Sequence, residues 1–128
     1  MEESMFVLIA GPYRTGTNDD PGLMQRNLER LEEVGLSVWH RGHLPVIGEW
    51  MALPLMRKAG SQSVGDPVYT EMAYPVAHRL LRCCDAVIRV GGESRGADQD
   101  VALAKELGLK VFYSVDELPV VISSHGAV

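Results

Sequence analysis

Near the start of the chain, Met5, Phe6, Val7, Leu8, Ile9 and Ala10 form an unbroken apolar run that stops at Gly11-Pro12. A strand with one wet face alternates apolar and polar residues. A strand that is apolar throughout is covered on both faces, as in the middle of a parallel sheet. Parallel neighbours cannot be joined by tight hairpins and need long crossovers, usually helical. One short run therefore predicts a layered α/β domain.

The remaining segments supply the crossovers. Leu23, Leu28, Leu31, Val34, Leu36 and Val38 recur at near-helical spacing, with Glu29, Arg30, Glu32 and Glu33 opposite, predicting a helix over 23–40 that stops at Gly42. Residues 43–47 read as a short second strand, early or at an edge because of Pro45. A short helix over 51–58 follows, then the Gly- and Ser-containing segment 59–65, a lid or a linker. Asp66-Pro67 opens a helix to about Cys83 that buries Met72, Val76, Leu80 and Leu81, with Pro75 expected to kink or break it. Residues 85–90 form a buried strand, 97–107 a helix stopped by Gly108, 110–113 another strand and 115–118 a single turn. The expected fold is a flavodoxin- or Rossmann-like parallel sheet of four to five strands with helices on both faces, one domain over 1–119, and a tail over 120–128 that frays or docks on a neighbour.

Composition narrows the function classes. The 128 residues suffice for one core, and no apolar stretch reaches the ~20 residues needed to span a bilayer. The acidic start, Met1 to Ser4, lacks the basic and apolar regions of a signal peptide, so a cytoplasmic location is expected. The formal charge of -5, with 17 acidic against 12 basic residues, disfavours polymeric nucleic acid as a partner but allows a local pocket for one nucleotide. Adjacent Cys83 and Cys84 read as thiols near the core, and His40, His43, His78 and His125 show no metal-ligand spacing. No metal and no cofactor is expected.

Three loops bear chemistry, each after a strand, where open α/β sheets place ligands. Gly11 to Gly22 contains Tyr13 and Arg14, the latter a forked donor for phosphate or carboxylate, while Asp19 or Asp20 with Pro21 caps the next helix. Gly48, Glu49 and Trp50 follow the second strand, with Glu49 either a cleft carboxylate or a helix-start glutamate. After the third strand, Gly91-Gly92 makes a tight turn and Ser94 caps a helix whose free N–H groups can hold an anion. Asp98 and Asp100 follow two apart, so they do not share a helix face and at most one points into a cleft.

These residues resemble a known family. Gly11-Pro12-Tyr13-Arg14, the stretch from Cys84-Asp85-Ala86-Val87 to Ser94-Arg95-Gly96-Ala97-Asp98-Gln99-Asp100, and Gly108-Leu109-Lys110-Val111 are similar to the nucleoside 2-deoxyribosyltransferase-like superfamily, which includes 2'-deoxynucleoside 5'-phosphate N-hydrolases. The resemblance spans most of 5–118. It implies an N-glycosidase, hydrolase or transferase, acting on nucleosides or their 5'-monophosphates through a carboxylate that attacks C1'. The nucleophile position falls on Asp100, where the family usually carries Glu, with Asp98 as the competing choice. The family's orienting strand-one tyrosine is replaced by an apolar residue around Leu8, with Tyr13 a substitute from the loop. The second carboxylate, acting on the leaving base, matches Asp66 best and Glu49 less well. Gly11, Arg14, Ser94, Gly96 and Arg89 are the candidates for holding substrate or phosphate. The resemblance also implies a homodimer or higher homo-oligomer, with Trp39, Trp50, Met51, Met56 and Tyr74 as candidates for an apolar contact patch. The alternative function is a non-catalytic nucleotide-binding module.

Overall fold

The protein is described by a computed structural model that covers residues 3–122. Its elements are β1 (Phe6–Ala10), α1 (Pro21–His40), β2 (Leu44–Val46), α2 (Gly48–Lys58), α3 (Pro67–Leu81), β3 (Ala86–Arg89), α4 (Arg95–Glu106), β4 (Lys110–Phe112) and a final 3-10 turn, Val115–Glu117. The four strands form one parallel sheet in the order β2-β1-β3-β4. Val7, Leu8, Ile9 and Ala10 are all buried, as their unbroken apolar run requires.

Successive β1 side chains serve opposite layers. Val7 and Ile9, with Ala86 and Ile88, pack against Leu28, Leu31 and Val38 of α1. Leu8 and Ala10, with Val87, pack against Leu80 and Leu81 of α3 and Ala97 and Ala104 of α4. Three helices start on caps legible in the sequence. Asp20 accepts from Gly22 N, Asp66 from Tyr69 N and Ser94 from Ala97 N.

Several expectations are corrected. Of the kink or break expected at Pro75, the break does not occur: helix α3 runs through it, and both Pro75 and Glu71 are exposed, so water can reach the carbonyl that proline leaves without its donor. Leu23 and Leu36 lie off the buried stripe of α1, which uses Met24 and Gly35 instead. Met56 is buried and absent from any surface patch, whereas Trp39, Trp50, Met51 and Tyr74 are exposed. Cys84 is buried and Cys83 exposed, both free thiols. The tail expectation is settled only in part: Val121 N donates to Arg41 O at 2.8 Å, while residues 123–128, including His125, lie outside the described residues.

His43 is a core tie that periodicity does not reveal. Met5 N donates to its Nδ1 at 3.0 Å, so Nε2 carries the proton and donates to Pro119 O at 2.7 Å. One buried ring thus joins the start of β1 to the end of the described chain.

Gly35 supplies a stability test. It lies inside α1 with ordinary helical φ, and an added Cβ would meet Pro45 Cβ at 3.6 Å, an ordinary contact distance. Gly35→Ala is expected to raise the unfolding free energy by about 0.5–1 kcal/mol, measured by urea titration.

Candidate functional site

The chain leaves β1 toward β2 on one side and later returns to β3 on the other. This divergence opens a crevice beyond the strand ends. A cleft of about 580 Å³ lies there, bounded by the ends of the first three strands and the segments that follow them. Gly11, Tyr13 and Arg14 enter it after β1, Glu49 after β2, and Ser94, Gly96 and Asp100 after β3. Helix α3 forms a wall from Tyr69, Thr70, Ala73, Tyr74 and Ala77.

The loop after β1 is held by its own side chains. Buried Thr17 donates from Oγ1 to Arg14 O at 2.5 Å and accepts from Asp19 N at 3.2 Å. Asn27 Nδ2 donates to Tyr13 O at 2.9 Å. Asn18 and Asp19 take left-handed φ values of 51° and 59°, a conformation these two residue types tolerate better than most. The turn brings Asp19 onto Arg14, with Nε–Oδ1 and Nη2–Oδ2 distances of 2.7 and 3.1 Å. Arg14 also lies over the Tyr69 ring, 5.8 Å from its centroid. Asp19 holds the guanidinium in its charged form. Both groups are about half exposed, so an incoming anion can compete for Arg14.

The turn after β3 is braced from two sides. Arg89 Nη2 donates to Gly92 O at 2.9 Å, and Nη1 donates to Val90 O. Arg30 of α1 donates from Nη2 to Gly91 O at 2.8 Å. Gly92 has φ of 114°, with Pro12 against the side where a Cβ would stand. Helix α4 therefore begins at a fixed place, with its first N–H groups at the cleft. Gly96 belongs to that approach, because an added Cβ would sit 3.0 Å from Tyr74 Cε1.

Asp98 and Asp100 part company, as their two-residue spacing requires. Asp98 pairs with Arg89 at 3.0 Å, its side chain 72% exposed and outside the cleft. Arg89 is likewise occupied at the turn and does not line the cleft. Asp66 is committed to the α3 N-terminus, accepting from Ser61 Oγ and from the N–H groups of Gln62, Ser63 and Tyr69. Those donors hold its carboxyl down to about 2, the wrong direction for a proton donor. Sequence reasoning favoured Asp66 over Glu49 as second carboxylate; the structure puts Glu49 in the cleft and leaves Asp66 out.

Asp100 is buried and lines the cleft floor. Burial and then the Glu49 charge push its carboxyl up to about 7, against a smaller pull from Arg89. Burial also raises the Glu49 carboxyl. Tyr13 and Tyr69 are raised by burial and by Glu49, Tyr69 to about 12, so both are neutral hydroxyls near pH 7. The cleft thus combines two carboxyls that resist ionisation, the phenols of Tyr13, Tyr69 and Tyr74, one arginine and a helix N-terminus. Among the described residues no cluster has a metal-binding set of ligands, and no helix is long and apolar enough to cross a membrane.

Compared with protein-family models, curated proteins and solved structures, the chain matches none of them.

The cleft residues that sequence reasoning passed over lie on α3. Thr70, Ala73, Tyr74 and Ala77 recur at three- and four-residue spacing, and two alanines on that face leave room for a ligand. That stripe is the local signal, and Pro75 in its midst reads as a helix breaker.

The raised carboxyl of Asp100 has a consequence for stability. The folded protein keeps this proton to about pH 7, while the unfolded chain releases it near 3.8. Between those values the folded state binds more protons, so this group's contribution to stability falls as pH rises. Asp100→Asn is expected to be more stable than wild type by on the order of 2–4 kcal/mol at pH 8. The difference should vanish toward pH 4, as read by urea unfolding at each pH.

Proposed function

We propose that the protein cleaves the N-glycosidic bond of nucleosides or nucleoside 5'-monophosphates. The observation that carries this reading is the buried Asp100 in the cleft beside a second carboxyl, Glu49, and one turn beyond the anion-ready start of α4. The resemblance of the strand-turn-helix around Ser94 and Gly96 to the nucleoside 2-deoxyribosyltransferase-like superfamily points the same way.

The chemistry proceeds by displacement. An Asp100 carboxylate oxygen attacks C1' as the C1'–N bond breaks, and that bond's electron pair moves to the base nitrogen. Glu49 delivers its proton to the departing base. Water, deprotonated by the resulting Glu49 carboxylate, attacks the glycosyl ester and releases the sugar from Asp100. A second base in place of water gives transfer. A 5'-phosphate lies against the N–H groups of Arg95 and Gly96 and the Ser94 hydroxyl, with Arg14 exchanging Asp19 for phosphate. Tyr69 and Tyr74 offer ring surface for the base, and Gly11, whose missing side chain makes room for Leu31 and Val90, presents backbone to the cleft. No step requires a metal or a cofactor.

Attack needs one proton on the pair, held by Glu49. Burial raises both carboxyls and the Glu49 charge further opposes ionisation of Asp100, so the pair loses its two protons in coupled steps above the ordinary carboxylate range. kcat/KM is therefore expected to be bell-shaped, rising as the first proton leaves the pair and falling as the second does.

Chromatographic release of free base from a panel of nucleosides and nucleoside monophosphates tests the proposal. Asp100→Ala should lower the rate by about 10³-fold or more and Glu49→Gln by about 10²–10⁴-fold. Arg14→Ala should raise KM for monophosphates while leaving nucleosides nearly unaffected. A slow fluorinated substrate analogue should leave a glycosyl adduct on the Asp100 peptide, read by mass spectrometry. An adduct on Glu49 would reverse the two roles. Binding of nucleotides without base release would make the protein the non-catalytic module.

A further inference from the structure

His78 on α3 faces Asp100 across the helix–helix contact. Its Nε2 lies 3.6 Å from Asp100 Oδ1, and both atoms are buried without a hydrogen-bond partner among the described residues. That separation is too long for a hydrogen bond, yet closing it takes less than ~1 Å of movement. Two buried polar atoms left unpaired and facing one another are unusual, and such arrangements concentrate where function needs them.

The rest of each group favours the contact. The Asp100 side chain keeps 12% of its surface exposed although Oδ1 is sealed, so its open part faces the cleft it lines. The His78 ring stacks on Tyr74, centroids 6.3 Å apart and planes within 13°. Tyr74 lines the cleft, so a ligand packed on that ring also bears on His78.

We propose that His78 is the positioning residue for Asp100: when the cleft fills, its Nε2–H takes hold of Oδ1 and turns the other carboxylate oxygen toward the ligand. The inference rests on Asp100 being the attacking group. His78 itself touches no reacting atom. It removes the carboxylate's rotational freedom, and a misplacement of ~1 Å at the attacking atom is enough to slow a displacement about 10²-fold. The charged groups acting on Asp100 are Glu49 from α2 and Arg89 from β3, and the His78 ring faces it from α3.

Two variants separate the hydrogen bond from the volume. His78→Gln keeps an N–H donor near Nε2; His78→Leu fills similar space without one. Circular dichroism checks the fold, and His78→Met serves as the donor-free variant should the Leu protein not fold. The readouts are kcat and KM for base release and the Asp100 carboxyl midpoint by carbon-13 NMR with the cleft filled by saturating deoxyribose 5-phosphate. The donor-free variant should lose about 10–100-fold in kcat with KM within about 3-fold, and its Asp100 midpoint should lie about one pH unit above that of the Gln variant. The Gln variant should stay near wild type on both. Equal midpoints in the two variants, or an unchanged kcat in the donor-free one, would overturn the role of His78. A wild-type protein that releases no base while the midpoints differ would retire the glycosidase reading and leave the His78–Asp100 contact standing.

Discussion

Burial of β1 on both faces is the constraint from which the site follows. Val7 to Ala10 must be covered on each side, so α1 takes one face and α3 and α4 the other. Pairing in parallel on both edges sends the chain to β2 on one side and β3 on the other. The crevice at that divergence is a by-product of covering one apolar strand. Every cleft group is carried on a segment that this topology aims at the same end of the sheet.

Within that frame the positive charges divide their labour. Arg30 and Arg89 brace the Gly91-Gly92 turn from opposite sides, and Asp98 anchors Arg89 from the first turn of α4. Their guanidinium groups are committed to carbonyl oxygens and a carboxylate. Arg14 differs because its partner, Asp19, is itself half exposed on a turn of two left-handed residues. A chain of net charge -5 can still hold one anion here, because the donors are chiefly backbone N–H groups and a single exchangeable arginine.

Much of the fold was legible because apolar runs and caps are local signals. The strand at 5–10, the caps Asp20, Asp66 and Ser94, and the stops at Gly42 and Gly108 each depend on a few neighbouring residues. The site was legible only in part, because its decisive facts are long-range. The same acidic residue type is a helix cap at 66, a turn anchor at 98 and a buried cleft group at 100, and only the packing of α3 against α4 separates the last from the others. His43 and His78 show the same limit. One ring is a saturated core tie between Met5 and Pro119, and the other is left unsatisfied against a carboxyl. Neither difference is written in the residues beside them.

The contrast between those two histidines also bears on why the cleft is built as it is. A fold that can satisfy a buried imidazole on both nitrogens at His43 is capable of the same at His78. Instead, His78 Nε2 and Asp100 Oδ1 are brought within 3.6 Å and left short of bonding, while burial and Glu49 keep the carboxyl from ionising easily. Stability would be better served by asparagine or an apolar residue at 100. A buried acid that weakens the folded state near neutral pH, set at a cleft that the sheet topology opens to solvent, is an arrangement that the fold around it does not require.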